Sequence, residues 1–231
     1  MKDVSVVSHR FTDWNGLTAY ILQQMDYCTP GITSQDRSLV EIYVQGALRR
    51  MEPILGAVLS FEPLKFNHLN SLQYASFLYL LANEIWLSEG VNDTSDKLFL
   101  LNRSINSLDL FYKVKLPQIF VIAHGLGSVL VDTVYGENFI FFHHTTVGRL
   151  GEKVPIIGDN VILFPHSMIL GNSTVGSNSV ISAGTIVSNT KIPSDSIVFS
   201  NGNSLVIKPR KKKYIDLFLR QVSPINITIQ P

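Results

Sequence analysis

Apolar residues recur along this chain with two different periods. Between residues 36 and 60, Leu39, Ile42, Tyr43, Ala47, Met51, Ile54, Leu55 and Val58 return every three or four positions, the spacing of one face of an α-helix. Residues 69–88 are apolar almost all round, which predicts a second helix buried on most sides. A third, shorter helix is predicted to begin at Asp96 as N-cap and to run through Leu98, Leu101 and Ile105. Thr29, Pro30 and Gly31, and the stretch 90–95, break the pattern between these segments.

After about residue 109 the period becomes six. Ile157, Leu163, Ile169, Val175, Ile181 and Val187 form an unbroken series, with a small hydroxyl residue four positions after the middle four: Ser167, Ser173, Ser179 and Thr185. This is the hexapeptide pattern of a parallel β-helix. Three short strands make one triangular coil, the aliphatic residue of each hexad points into the prism, and a small residue lets the chain turn the corner. One coil cannot bury its own interior, so only the stack is stable. Ala123, Val129, Tyr135, Phe141 and Val147 are read as the earlier part of the inward series. The step from Val147 to Ile157 is ten residues, one hexad plus four, which predicts a loop protruding from a corner near 149–155. The expected fold is α+β and trimeric: a helical domain over 1–108, a left-handed parallel β-helix over 109–207, and a basic tail over 208–231.

Composition narrows the function. Hydrophobic residues make up 45% and charged residues 16% of the 231, with a net charge of +1. That is enough for a core, and it supplies no field to draw in nucleic acid. The single Cys28 excludes an internal disulfide framework and a cysteine-rich zinc site. Residues 1–25 hold no long apolar stretch, and the greasiest run, 77–87, is too short for a span of about 20 residues. The expectation is a cytoplasmic protein without a membrane span.

From residue 109 to 205, and more weakly from 69 to 90, the chain resembles the serine acetyltransferases of the hexapeptide-repeat superfamily. The segment His124-Gly125-Leu126-Gly127-Ser128-Val129-Leu130 is similar to the family's catalytic His-x-x-Gly segment. The family's orienting aspartate, fifteen residues earlier, corresponds to Asp109. Thr145-Thr146-Val147-Gly148 resembles the family's Val-Thr-Leu-Gly. Pro155-Ile156-Ile157-Gly158, Ile169-Leu170-Gly171-Asn172 and Ser182-Ala183-Gly184 follow in order. Two departures concern the acceptor. The aspartate that directly precedes the histidine in the family is Ala123 here, and the basic-His-Pro triplet is Lys153-Val154-Pro155. Lysine offers a point charge where arginine offers a planar fork.

The resemblance implies a coenzyme A-dependent transfer of acetyl to a hydroxyl. His124 would act as general base and Asp109 would fix its tautomer. The backbone near Gly148, Pro165, Ala183 and Gly184 would line the acetyl-CoA groove between protomers. Lys208, Arg210 and Lys211 are candidates for its phosphates, against the plain reading of a solvated charge run. His143, His144 and Lys153 are candidates for the acceptor. No carboxylate or cysteine near the paired histidines completes a metal site, so no metal is expected. The partners expected are a small acceptor, a sugar or an amino acid, and two further copies of the chain, with a dimer of trimers as an extension. The rebuilt acceptor residues point first to a sugar hydroxyl in surface-polysaccharide assembly. The alternatives are serine O-acetylation in cysteine synthesis and a scaffold without catalysis.

Overall fold

A computed structural model describes residues 5–6, 14–202 and 204–220. Four helices come first: α1 (Trp14–Cys28), α2 (Ser34–Ala57), α3 (Ser71–Glu89) and α4 (Asp93–Asn106). α1 carries Leu17, Ile21, Leu22 and Met25 inward and was not anticipated above. α3 is buried nearly all round, with Phe77, Leu78, Leu81 and Ile85 fully enclosed. Ile42 departs from the expected apolar face of α2 and is 61% exposed.

α4 starts earlier than the sequence suggests. Its N-cap is Asn92, whose side chain accepts the Ser95 N–H at 2.8 Å, so Asp96 lies inside the first turn. α2 opens with a reciprocal cap: Thr33 accepts the Asp36 N–H, and the Asp36 carboxylate accepts the Thr33 N–H. That carboxylate is also met by Lys97 Nζ at 2.7 Å and by the Thr94 hydroxyl at 2.8 Å, tying α2 to α4. Burial pushes the Asp36 carboxyl up. The bonds from Lys97, Thr33 and Thr94 outweigh it and hold its pKa at about 2, below the usual 3.8.

The rest of the chain winds into a parallel β-helix of three sheets. The first sheet stacks Phe120–Ala123, Phe139–Phe142, Ile162–Leu163, Val180–Ile181 and Ser196–Asn201. The second stacks Asp109–Leu110, Val129–Leu130, Thr146–Gly148, Met168–Leu170 and Ile186–Ser188. The third stacks Val134–Tyr135, Ile156–Ile157, Thr174–Val175 and Lys191–Ile192. The series from Ile157 to Val187 is buried as predicted. Ser167, Ser173, Ser179 and Thr185 are buried at the corners. The hydroxyls of Ser167 and Ser173 donate to the carbonyls three residues back.

The first coil departs from the predicted register. Leu130 is the inward residue of its strand, while Val129 is 39% exposed. In the strand before it, Ala123 shares the outer face with Val121, and the fully enclosed Ile122 packs against the inward Phe141. The reason is a change of corner length. Ala123 pairs with Phe142 and Val129 with Thr146, so residues 124–128 fill a corner that 143–145 fill one coil later. The expected protruding loop is present as a tight turn in which Leu150 and Lys153 exchange backbone hydrogen bonds.

After the last coil, Ser204–Pro209 folds back antiparallel on Ser196–Asn201. A short 3-10 turn, Tyr214–Leu217, leads to Arg220, whose guanidinium donates to the carbonyls of Leu55, Gly56, Val58, Leu59 and Phe61 around the end of α2. The C-terminal arm thereby joins the β-helix to the helical half. Among the described residues, no helix is long and apolar enough to cross a membrane.

Candidate active site

The corner between the first and second sheets carries half of the sequence-predicted site residues: His124, His143, His144, Pro165, Ala183 and Gly184. Leu126 and Gly127, His143 and His144, Pro165 and His166, and Ala183 and Gly184 stack here in successive coils. The contacts between coils are backbone bonds: His144 N–H to Leu126 O, His166 N–H to His143 O, and Gly184 N–H to Pro165 O, at 2.8 to 3.1 Å. The stacked position is left-handed throughout, with φ near +60° at Gly127, His144, His166 and Gly184.

His124 belongs to this corner and stands out from it. Compared with the next coil, the corner has two additional residues, and His124 and Gly125 head this longer turn. His124 has φ +56° and an exposed side chain. Gly125 folds back so closely that a Cβ there would stand 2.3 Å from Ile122 Cγ2, so only glycine fits. Sequence spacing alone did not show this insertion, because the run Ala123, Val129, Tyr135 keeps a period of six across it.

His124 stands in the wall of two cavities. One, of about 290 Å³, lies against α3 and α4, with Leu72, Ala75, Ile105 and Leu108 in its lining. The other, a cleft of about 200 Å³, is bounded by the end of α2, the outer face of the first sheet and the C-terminal arm, with Phe61, Leu72, Phe142 and Phe218 in its lining. Phe142 and Phe164 stack at 5.1 Å between centroids, and Phe218 meets Phe142 edge-on at 5.6 Å.

Three further imidazoles gather on the same corner. His144 and His166 stack with centroids 4.8 Å apart, and His143 meets each edge-on at 5.7 and 5.5 Å. Desolvation, and then the neighbouring His166, His144 and His124, hold the His143 imidazole below its ordinary range. Among the described residues, no group of three or more His, Cys, Asp or Glu side chains is arranged to hold a metal ion.

The other predicted residues are spread more widely. Asp109 lies one coil before Val129, at the start of its strand, and its carboxylate is 3.5 Å from the Arg103 guanidinium. Among the described residues, no hydrogen bond joins Asp109 to His124. Gly148 and the exposed Lys153 sit at the next corner, between the second and third sheets. Arg210 sits at the third corner, where its side chain is 8% exposed and its guanidinium pairs with Asp195 at 3.4 Å. Lys208 lies over the Phe199 ring at 5.4 Å, and Lys211 is exposed. The N–H of Gly184 and the carbonyl of Pro165 bond to each other, whereas the N–H of Ala183 has no backbone acceptor among the described residues.

Residues 155–197 match the bacterial transferase hexapeptide family of six repeats. A serine acetyltransferase of Staphylococcus xylosus is 28% identical over 137 residues, covering 54% of this chain and 59% of the relative. The chain therefore matches little more than half the length of that relative. Among solved structures, a serine acetyltransferase from Brucella abortus strain S19 is similar at a TM-score of 0.63 and 20% identity, covering 84% of this chain and 83% of that one. A structure of serine acetyltransferase from the same strain in complex with coenzyme A gives a TM-score of 0.59 at 17% identity, covering 83% and 82%. In sequence this chain is similar to serine acetyltransferases, it shares their fold, and its residues 155–197 match the hexapeptide-repeat family.

Proposed function

We propose that the protein is an acetyl-CoA-dependent O-acetyltransferase of the serine acetyltransferase type, with His124 as its general base. The observation that carries this reading is the displayed His124, held out on its own longer corner between two cavities at the head of the histidine column. The relatives' names speak for serine as the source of the hydroxyl. None of them speaks for the surface-polysaccharide sugar that the sequence suggested first.

In this reading the His124 imidazole takes the proton of the acceptor hydroxyl as its oxygen attacks the thioester carbonyl. Such general-base help is worth about 10²–10⁴-fold. A backbone N–H meets the oxyanion of the tetrahedral intermediate. Collapse breaks the carbon–sulfur bond, and the imidazolium returns the proton to the departing thiolate. No side chain of the protein is acylated. Asp109 acts as a positioning residue once it turns from Arg103 towards the imidazole.

Acetyl-CoA would run along the histidine corner past Pro165, Ala183 and Gly184. Gly184 is the open end of that column, since a Cβ there would meet nothing within 4 Å. The exposed Lys208 and Lys211 remain candidates for its phosphates, whereas Arg210 is already paired. A trimer would complete the groove with a neighbour's corner, bringing in Gly148 and Lys153. The outward Val129 and Ile186, 39% and 50% exposed on the second sheet, suit such a contact.

Release of free thiol from acetyl-CoA in the presence of L-serine tests the activity. Serine-dependent release is expected. No release above the uncatalysed background with any hydroxyl acceptor would leave the scaffold reading standing.

A further inference from the structure

The two cavities that share His124 hold no charged side chain among their described lining residues. The smaller one is the more apolar. Beyond His124, its polar lining residue is Ser60, and Val58, Leu59, Phe61, Leu72, Phe142 and Phe218 form most of its wall. Ala123 also lines it, directly before the histidine, where the resemblance places an aspartate. A volume of about 200 Å³ has room for an organic substituent rather than a single water. A free amino acid brings an ammonium and a carboxylate, and the described lining offers neither of them a charged side chain to pair with. Burying an unpaired charge is far more costly than burying an apolar group of the same size.

We propose that this cavity selects an acceptor whose hydroxyl is carried beside an uncharged, apolar substituent. The inference rests on the reading that the acceptor meets His124. The cavity lies on the outer face of the first sheet, towards α2 and the C-terminal arm, whereas Pro165, Ala183 and Gly184 continue the histidine corner through later coils. The substituent therefore belongs to the acceptor rather than to the donor. Ala123 and Phe218 act as specificity residues: one withholds a carboxylate, and the other closes the apolar wall.

The test compares L-serine with N-benzoyl-L-serine methyl ester, which keeps the hydroxyl and removes both charges, as acceptors from acetyl-CoA. The full chain is used, with thiol release as the readout. The ester is expected to have the higher kcat/KM by about 10- to 100-fold, the range for contacts in an apolar pocket. Ala123→Asp is expected to reduce that preference. Ser60→Asp, at an exposed position that does not depend on core packing, is expected to do the same. Serine used as well as the ester, or a preference that neither variant changes, would overturn the inference and leave the O-acetyltransferase reading intact. No thiol release with either acceptor would overturn both.

Discussion

Gly127 makes room for His144: a Cβ on Gly127 would stand 2.3 Å from His144 Nδ1 and 2.6 Å from Cε1. The two residues occupy the same stacked position in successive coils, and both have positive φ. The absence of a side chain in the first coil is what lets the imidazole of the second lie against it. Gly127→Ala combines this overlap with a left-handed backbone, which costs a residue with a Cβ roughly 1–2 kcal/mol. A loss of about 2 kcal/mol is expected in denaturant unfolding. Adding His144→Ala is expected to recover the steric part and leave the backbone part, a coupling that a double-mutant cycle reads directly.

The Asp36 cluster makes stability depend on pH in a defined direction. The folded-state pKa of about 2 lies below the ordinary 3.8, so the stabilisation is fully present above about pH 4 and is lost as pH falls towards 2. The shift corresponds to about 2 kcal/mol. Asp36→Asn is expected to be less stable than the parent by about that amount at neutral pH, and the two unfolding curves should converge as the pH approaches 2. A difference that stays constant down to that pH would assign the effect to packing instead.

Arg220 holds the C-terminal arm by donating to five carbonyls around the end of α2, with the Gly56 contact at 3.0 Å and the Phe61 contact at 2.7 Å. Bonds from a charged donor are worth about 1.5–3 kcal/mol. Arg220→Ala is expected to cost about 2 kcal/mol and to raise hydrogen exchange at 214–219 while the inner hexads stay protected. Equal exchange in the parent and the variant would show that the arm is held by its apolar contacts alone.

Much of the fold was legible because hexad periodicity and inward burial are the same fact stated twice: Ile157 through Val187 is both a sequence pattern and a column in the prism. The first coil was less legible. Its two additional residues at the His124 corner are offset by a shorter step from Leu130 to Tyr135, so the period of six carried on through residues that face outward. Asn92 and Asp96 are both good caps by residue type, and only the bond from the Ser95 N–H to Asn92 decides between them. His143 and His144 stand side by side in the sequence, but the contribution of Phe218 leaves no comparable sign. A residue that returns from the far end of the chain to line a cavity leaves no local signal. Arg210 belonged to a run of basic residues, and nothing in that run showed that Asp195 would take its charge.

The central claim is tested most directly by kcat/KM for acceptor-dependent thiol release in the parent and in His124→Asn. Asparagine tolerates positive φ, so the corner keeps its shape while the base is removed. A fall of about 10²–10⁴-fold with an unchanged melting profile is predicted. An unchanged rate in a folded, active preparation would contradict the assignment of His124 as the base.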